Sequence, residues 1–314
     1  MSSEFTGEKI VPIRVQPPDC WLSYLGAVAT LLRSRGVKCD LTAVAGLSGY
    51  AFIINIHPEL LPTGPVAFDW EVLIEGTQAL GLETELVAVE RGPDDPELFR
   101  ELFLRVREEI DQERCCIVWG AGDGPEFRLV CGYRNDAYVV LSPGGNRLVR
   151  YDRLMAVWRI AGIFFGEPVE LDPKNEERKA VLRAVKLLRG TAPCFDAEYH
   201  YGARAFRVWA ESVTAGSADD YGFIYNLMCY YELQMFAAGF CVRLARQHRQ
   251  AGVHLGKAGD FFKRSFKNLA QIETMAPNAA SRQKNALRIA ELLNECAHLN
   301  EQAVEELERA LVLM

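Results

Sequence analysis

The chain has 314 residues, 49% of them hydrophobic and 25% charged, with a formal charge of -7 from 42 acidic and 35 basic side chains. This is the composition of a folded globular protein long enough for two ordinary cores. Its Lys and Arg residues are scattered among acids, which excludes a phosphate-tracking nucleic-acid binder, and no apolar run approaches the ~20 residues a membrane helix needs.

In chain order, the segment Met1 to Glu8 is polar and has no apolar signal core, so the expected location is cytoplasmic. Asp19 suits the N-cap of a first helix with Leu22, Leu25, Val28, Ala29 and Leu32 on one face, ended by Gly36. Asp40 caps a short helix through Val44 and Leu47. Tyr50 to Ile56 reads as a buried strand or an extended loop, and Pro58, Pro62, Gly64 and Pro65 follow as breakers. Asp69 caps a helix over Trp70 to Ala79, Gly81 ends it, and Leu82 to Val89 reads as a strand.

Asp95-Pro96, a cap followed by proline at the first helical position, opens a helix carrying Leu98, Leu102, Val106 and Ile110. Three strands follow at Cys115 to Trp119, Phe127 to Tyr133 and Ala137 to Leu141, with Arg134-Asn135-Asp136 as a turn. A short helix over Asp152 to Val157 and a strand over Ile160 to Phe165 complete an α+β domain, residues 1–166. The linker is Gly166 to Pro173. From there strand signals vanish, and helices at Ala180 to Leu188, Ala203 to Val213, Tyr221 to Gln247, Leu255 to Met275 and Ala279 to Leu313 predict an all-helical domain, residues 174–314.

The nine cysteines are odd in number and irregular in spacing, and Cys116, Cys131, Cys229 and Cys241 sit in apolar runs, so they read as small core side chains and not as a disulfide framework. Cys115 and Cys116 are adjacent, and His57, His200, His248, His254 and His298 form no close pair, so no metal site is expected. The loop from Trp119 to Gly124 is glycine-rich but lacks the Lys-Ser/Thr of a phosphate loop, and no cofactor is expected.

The residue with chemical promise is Cys20, placed by this reading in the first turn of the first helix, where unpaired amides favour a thiolate. Gln16, four residues upstream, is the candidate partner of the Cys20 amide in holding an oxyanion. Cys20 opening a helix, a helical subdomain, the strand Phe127-Arg128-Leu129-Val130-Cys131-Gly132-Tyr133 and a strand ending in Ser142-Pro143-Gly144-Gly145 together resemble the papain-like cysteine peptidases of the C39-like kind. Over residues 10–165, and more weakly beyond, the chain is similar to the family of the butirosin-biosynthesis acyltransferase N-terminal domain.

That resemblance implies a papain-like fold and a cysteine nucleophile that takes an acyl group from a carrier-protein thioester. The family histidine falls six residues before the glycine, and here that position is Glu126; the Asp or Asn before proline is here Ser142. Gln16 stands nearer the cysteine than the family glutamine does, and Trp21 occupies a position where a small residue is common.

Two readings stay open for each site residue. Cys20 is a reactive thiol or a residue at an inert helix start. Glu126 is an unusual base or an ion-paired carboxylate, and His57, in the loop Ile56-His57-Pro58-Glu59, is a replacement base or a solvated loop residue. Tyr50, Trp70 and Trp119 line a cleft or pack in the core. A second aromatic cluster, Tyr199 to Phe206 with Trp209, belongs to a pocket or to helix packing. The expected function is thiol-dependent acyl transfer or hydrolysis on a thioester or amide, a small molecule or peptide, of the kind found in secondary metabolism. The alternative is an inactive papain-like protein that binds such a ligand in the old cleft. Self-association is compatible with either.

Overall fold

A computed structural model describes residues 4–89, 96–142, 144–155, 159–191 and 197–314. In chain order they form β1 (Glu8–Ile10), α1 (Ser23–Ser34), α2 (Leu41–Ser48), β2 (Asn55–Ile56), α3 (Glu71–Thr77), β3 (Leu82–Val89) and α4 (Pro96–Asp111). Then come β4 (Cys116–Trp119), β5 (Phe127–Arg134), β6 (Ala137–Ser142), β7 (Gly145–Arg150) and β8 (Ile160–Pro168). The rest is α5 (Pro173–Arg189), β9 (His200–Tyr201), α6 (Ala203–Ala215), α7 (Asp220–Gln247), α8 (Gly252–Met275), α9 (Ala279–Lys284) and α10 (Ala286–Leu313). No described helix is long and apolar enough to cross a membrane.

The chain divides into two compact units, Met1–Val44 with Gly81–Glu170, and Ala45–Leu80 with Leu171–Met314. The first is a mixed α/β unit built on an antiparallel sheet in the order β3-β8-β4-β5-β6-β7, with β1 pairing β5. β8, late in sequence, is inserted between β3 and β4, so the sheet closes through pairings distant in the chain. β5 is the sheet's hub: its first half pairs β4, its second half pairs β1, and β6 lies along its other edge. Gly132 permits this arrangement, because a Cβ there would collide with the Lys9 carbonyl as β1 passes.

Successive strand residues point to opposite faces. Trp119 and Phe127, paired across β4 and β5, share one face, and their rings meet at 4.9 Å. α1 covers that face, with Tyr24 edge-on to Phe127 at 5.4 Å. Val118 is paired with Gly162 and points the other way, where Leu102 of α4 fills the space over the glycine. The two helices therefore enclose the sheet, and their buried aromatics form its core.

The second unit is helical, with α7 packed along α8, and α10 against α8, α6 and α5. It also claims residues that the sequence assigns to the first domain, and the contacts give the reason. The Phe240 ring lies directly over Gly46, Gly76 is pressed onto the Ser48 backbone, and Asn55 is bonded to Tyr230. Asn55 and Ile56 pair with Tyr201 and His200 in a two-stranded ribbon.

Several local expectations change. The segment Tyr50 to Ile56 is a short 3-10 turn followed by the two residues of β2. The long helix Ala279 to Leu313 is broken at Asn285, whose side-chain amide donates to the Met275 and Ser281 carbonyls. The expected helix over Asp152 to Val157 is a single 3-10 turn at Tyr151–Arg153, and residues 156–158 lie outside the described residues. Asp95, expected to cap α4, also lies outside them.

Candidate functional site

The expectation that Asp19 caps α1 with Cys20 in its first turn is corrected. The helix starts at Ser23, and Leu22, 2% exposed and extended at φ -93° and ψ 94°, precedes it. Burial of Leu22 and an anchor at Ser23 set this start: the Ser23 hydroxyl accepts a hydrogen bond at 3.0 Å from the Phe127 amide at the head of β5. Cys20 is thus left two residues ahead of the helix cap, half-buried, with its thiol donating toward the Leu22 carbonyl at 3.5 Å. Amides of the first helical turn stabilise a thiolate only within about that turn, so the stabilisation expected of a helix-terminal cysteine does not apply here.

Cys20 lines a recess of about 90 Å³ between the start of α1 and the head of β5, and Glu126 lines the same recess. Its walls include Pro17, Pro18, Trp21, Phe127, Leu129 and Leu141, and Arg128 supplies a cation. Trp21 is 46% exposed, which puts a large ring at the mouth.

Glu126 is fully engaged at one oxygen. Its Oε1 accepts from Arg128 Nη2 at 2.7 Å and from the Asp123 amide at 3.2 Å. The Gly120 amide also donates to the Glu126 carbonyl at 2.8 Å, so the loop Gly120 to Gly124 is folded around this residue. Gly122 lies so close that any Cβ there would overlap the carboxylate. That oxygen is therefore taken up by a guanidinium and a backbone amide. Gly122→Ala is expected to displace Glu126 and release the Asp123 amide, read as faster hydrogen exchange at that amide with β5 protection retained.

The remaining expected residues are not brought to this recess. Gln16 is exposed, and the prolines that follow it line the wall in its place. His57 belongs to the helical unit, where its Nδ1 accepts from the Glu59 amide at 3.1 Å and its ring meets Tyr199 edge-on at 5.2 Å. Tyr50 is buried and donates to the Pro65 carbonyl at 2.7 Å, and Trp70 is buried and donates to the Val66 carbonyl at 2.9 Å; both are core residues of the helical unit. Trp119 is wholly buried beneath the recess and does not line it. Ser142 ends β6 paired with Gly145, one residue beyond the lining Leu141, and Pro143 lies outside the described residues. Trp209 is a core residue surrounded by Phe206, Phe223 and Tyr230.

Arg128, Ser23 and Leu141 are the participants that sequence reasoning missed. Arg128 carried a signal: two residues from Glu126 along extended backbone, it points to the same face and can reach it. Ser23 carried none, because its partner is 104 residues away. None of the five histidines lines the recess. Among the described residues no group of three or more His, Cys, Asp or Glu side chains is placed to hold a metal ion.

No protein-family model matches the chain, and no curated protein does. Among solved structures, the chain is similar to a double glycine motif protease from an AMS/PCAT transporter, determined in complex with the leader peptide. The identity is 16% and the TM-score 0.32, over 52% of this chain and 95% of that one.

Proposed function

We propose that the sheet-containing unit is a papain-like scaffold that binds an apolar-ended peptide or small molecule beside Cys20 without turning it over. The observation that carries this reading is the state of Glu126: the side chain in the base position is tied to Arg128 and to the Asp123 amide. With that oxygen taken up, Glu126 is not proposed as the base, and acyl transfer lacks an activated nucleophile. What remains is a concave recess of mixed character, with Pro17, Trp21, Phe127 and Leu141 among its apolar walls and Ser23, Glu126 and Arg128 among its polar ones, suited to a short aliphatic or acyl end next to an acceptor group.

One observation favours a second reading. Cys20 lines the recess, so a ligand seated there meets the sulfur. Thiol-dependent acyl transfer or hydrolysis would then act on a thioester, whose good leaving group asks least of a general acid.

Alkylation separates the two. Cys115, Cys116, Cys131, Cys241 and Cys296 are buried, and burial pushes Cys115, Cys241 and Cys296 up to about 12 and Cys131 up to about 11. These thiols stay protonated and shielded through the neutral range, so iodoacetamide should modify Cys20 and the half-buried Cys39 well before them, as mapped by peptide mass spectrometry. Under the binding reading Cys20 reacts at pH 7 no faster than a model thiol, N-acyl cysteamine thioesters are not consumed, and Cys20→Ala retains binding of short peptides that Trp21→Ala loses. Rapid alkylation of Cys20 below pH 6, with thioester turnover abolished in Cys20→Ala, reverses the conclusion.

A further inference from the structure

The helical unit contains a cavity of about 220 Å³ that shares no lining residue with the recess beside Cys20. It lies where the end of α5, the start of α6 and one face of α10 meet. A Cβ on Gly202 would overlap the Leu188 carbonyl and one on Gly190 would overlap the Tyr201 ring, so the close approach of these elements requires glycine at both positions. Leu188, Tyr201 and Val304 give the cavity apolar walls. Arg189, Arg204 and Arg207 line it as well.

The three guanidiniums are not equivalent. Arg189 is held on two nitrogens by Glu308, and Arg207 on one nitrogen by Glu301 at 2.6 Å, so a carboxylate fixes each of them in place. Arg204 has no such partner among the described residues. It is the second residue of α6, whose first turn carries no acid and no side-chain cap, and Arg207 stands one turn further on. A cation is disfavoured both at the amino end of a helix and beside a like charge on the same helix face. With both glutamates counted, the surplus at the cavity is the full charge of Arg204 and about half a charge from the helix end. Its effect reaches His200. Burial first, and Arg204 second, hold that imidazole below its ordinary value, with His57 acting in the same direction and Glu211 against it.

We propose that this cavity binds a phosphate monoester with a compact aryl body, the phosphate on Arg204 and on the nitrogens of Arg207 that Glu301 leaves open, the ring against Leu188, Tyr201 and Val304. Charge selects the phosphate. A monoester carries about 1.5 to 2 negative charges near neutral pH, which meets the surplus, whereas a carboxylate carries only one. Guanidinium forks also match phosphate oxygens in pairs. Size sets the body: a cavity of ~150 Å³ encloses benzene, so 220 Å³ admits a ring with its phosphate toward the arginines.

Calorimetric titration of the full chain with phenyl phosphate tests this, with inorganic phosphate and phenol as the two halves of the probe. Phenyl phosphate should bind saturably, inorganic phosphate more weakly and phenol not at all. Arg204→Gln should weaken phenyl phosphate by about tenfold or more, as loss of a charge-assisted hydrogen bond does. Arg249→Gln, the same change of charge at an exposed position outside the cavity, should not. Proton NMR of His200 locates the anion: binding should raise the His200 pKa toward its ordinary value, while in Arg204→Gln that pKa should start higher and no longer respond to the probe. Absence of saturable phenyl phosphate binding overturns the proposal, as does binding that Arg249→Gln weakens as much as Arg204→Gln, or that leaves His200 unmoved. Equal affinity for inorganic phosphate overturns it too, because the apolar walls then contribute nothing.

Discussion

Trp119→Ala should destabilise the sheet-containing unit by about 3–5 kcal/mol, the range for truncating a large buried aromatic. Trp119 is completely buried, in β4 at the sheet's centre, and its ring packs on Phe127, which in turn meets Tyr24 of α1. The substitution removes the support under Phe127, and Phe127 is both a wall of the recess and the residue whose amide fixes Ser23. A domain typically has about 5–15 kcal/mol of net stability, so the loss is a large share of the total. Urea unfolding followed by far-ultraviolet circular dichroism measures it. The comparison is Trp21→Ala: at 46% exposure that ring should cost less than about 1 kcal/mol, while ligand affinity falls. A Trp119→Ala cost below 1 kcal/mol would mean that the ring is not what supports the recess.

How far this architecture can be read from the residues varies with the range of the forces involved. Leu82–Val89 follows a glycine at φ +93° and has clear turn and strand signals, so β3 is legible. The β5–β6 hairpin is legible for the same reason, since Asn135 at φ +51° takes the left-handed conformation that Asn tolerates better than most residues. β7 was not legible: five of its six residues are exposed, leaving no alternation to detect. The start of α1 misleads, because Asp19 satisfies every local rule for a cap while the real start answers to a distant bond at Phe127. Residues 45–80 join the helical unit through Phe240 over Gly46 and Tyr230 on Asn55, and spacing near Gly46 or Asn55 carries no trace of either partner. The candidate site divides in the same way. Cys20 and Glu126 do line one recess, and the bonds that tie Glu126 to Arg128 and to the Asp123 amide are seen only once the glycine loop is folded.

Tyr230→Phe is the corresponding test of the helical unit. The Tyr230 hydroxyl donates to the Asn55 carbonyl and accepts from the Asn55 amide at 3.0 Å, so one oxygen satisfies both backbone groups of a residue that is wholly buried. The Asn55 side-chain amide is spent elsewhere, on the Gly64 and Ala67 carbonyls at 3.0 and 2.8 Å, and cannot turn to replace it. Removing the hydroxyl leaves a buried donor and a buried acceptor unpaired, each costing about 1–3 kcal/mol, so a loss of about 2–6 kcal/mol is expected. Tyr231→Phe, one position along α7, packs its half-buried ring on Phe266 and should change stability by less than about 0.5 kcal/mol. Because Asn55 lies in the segment that links α2 to α3, hydrogen exchange should find the loss first there and only then along α7. If residues 45–80 instead keep full protection in Tyr230→Phe, this hydroxyl is not what holds them in the helical unit.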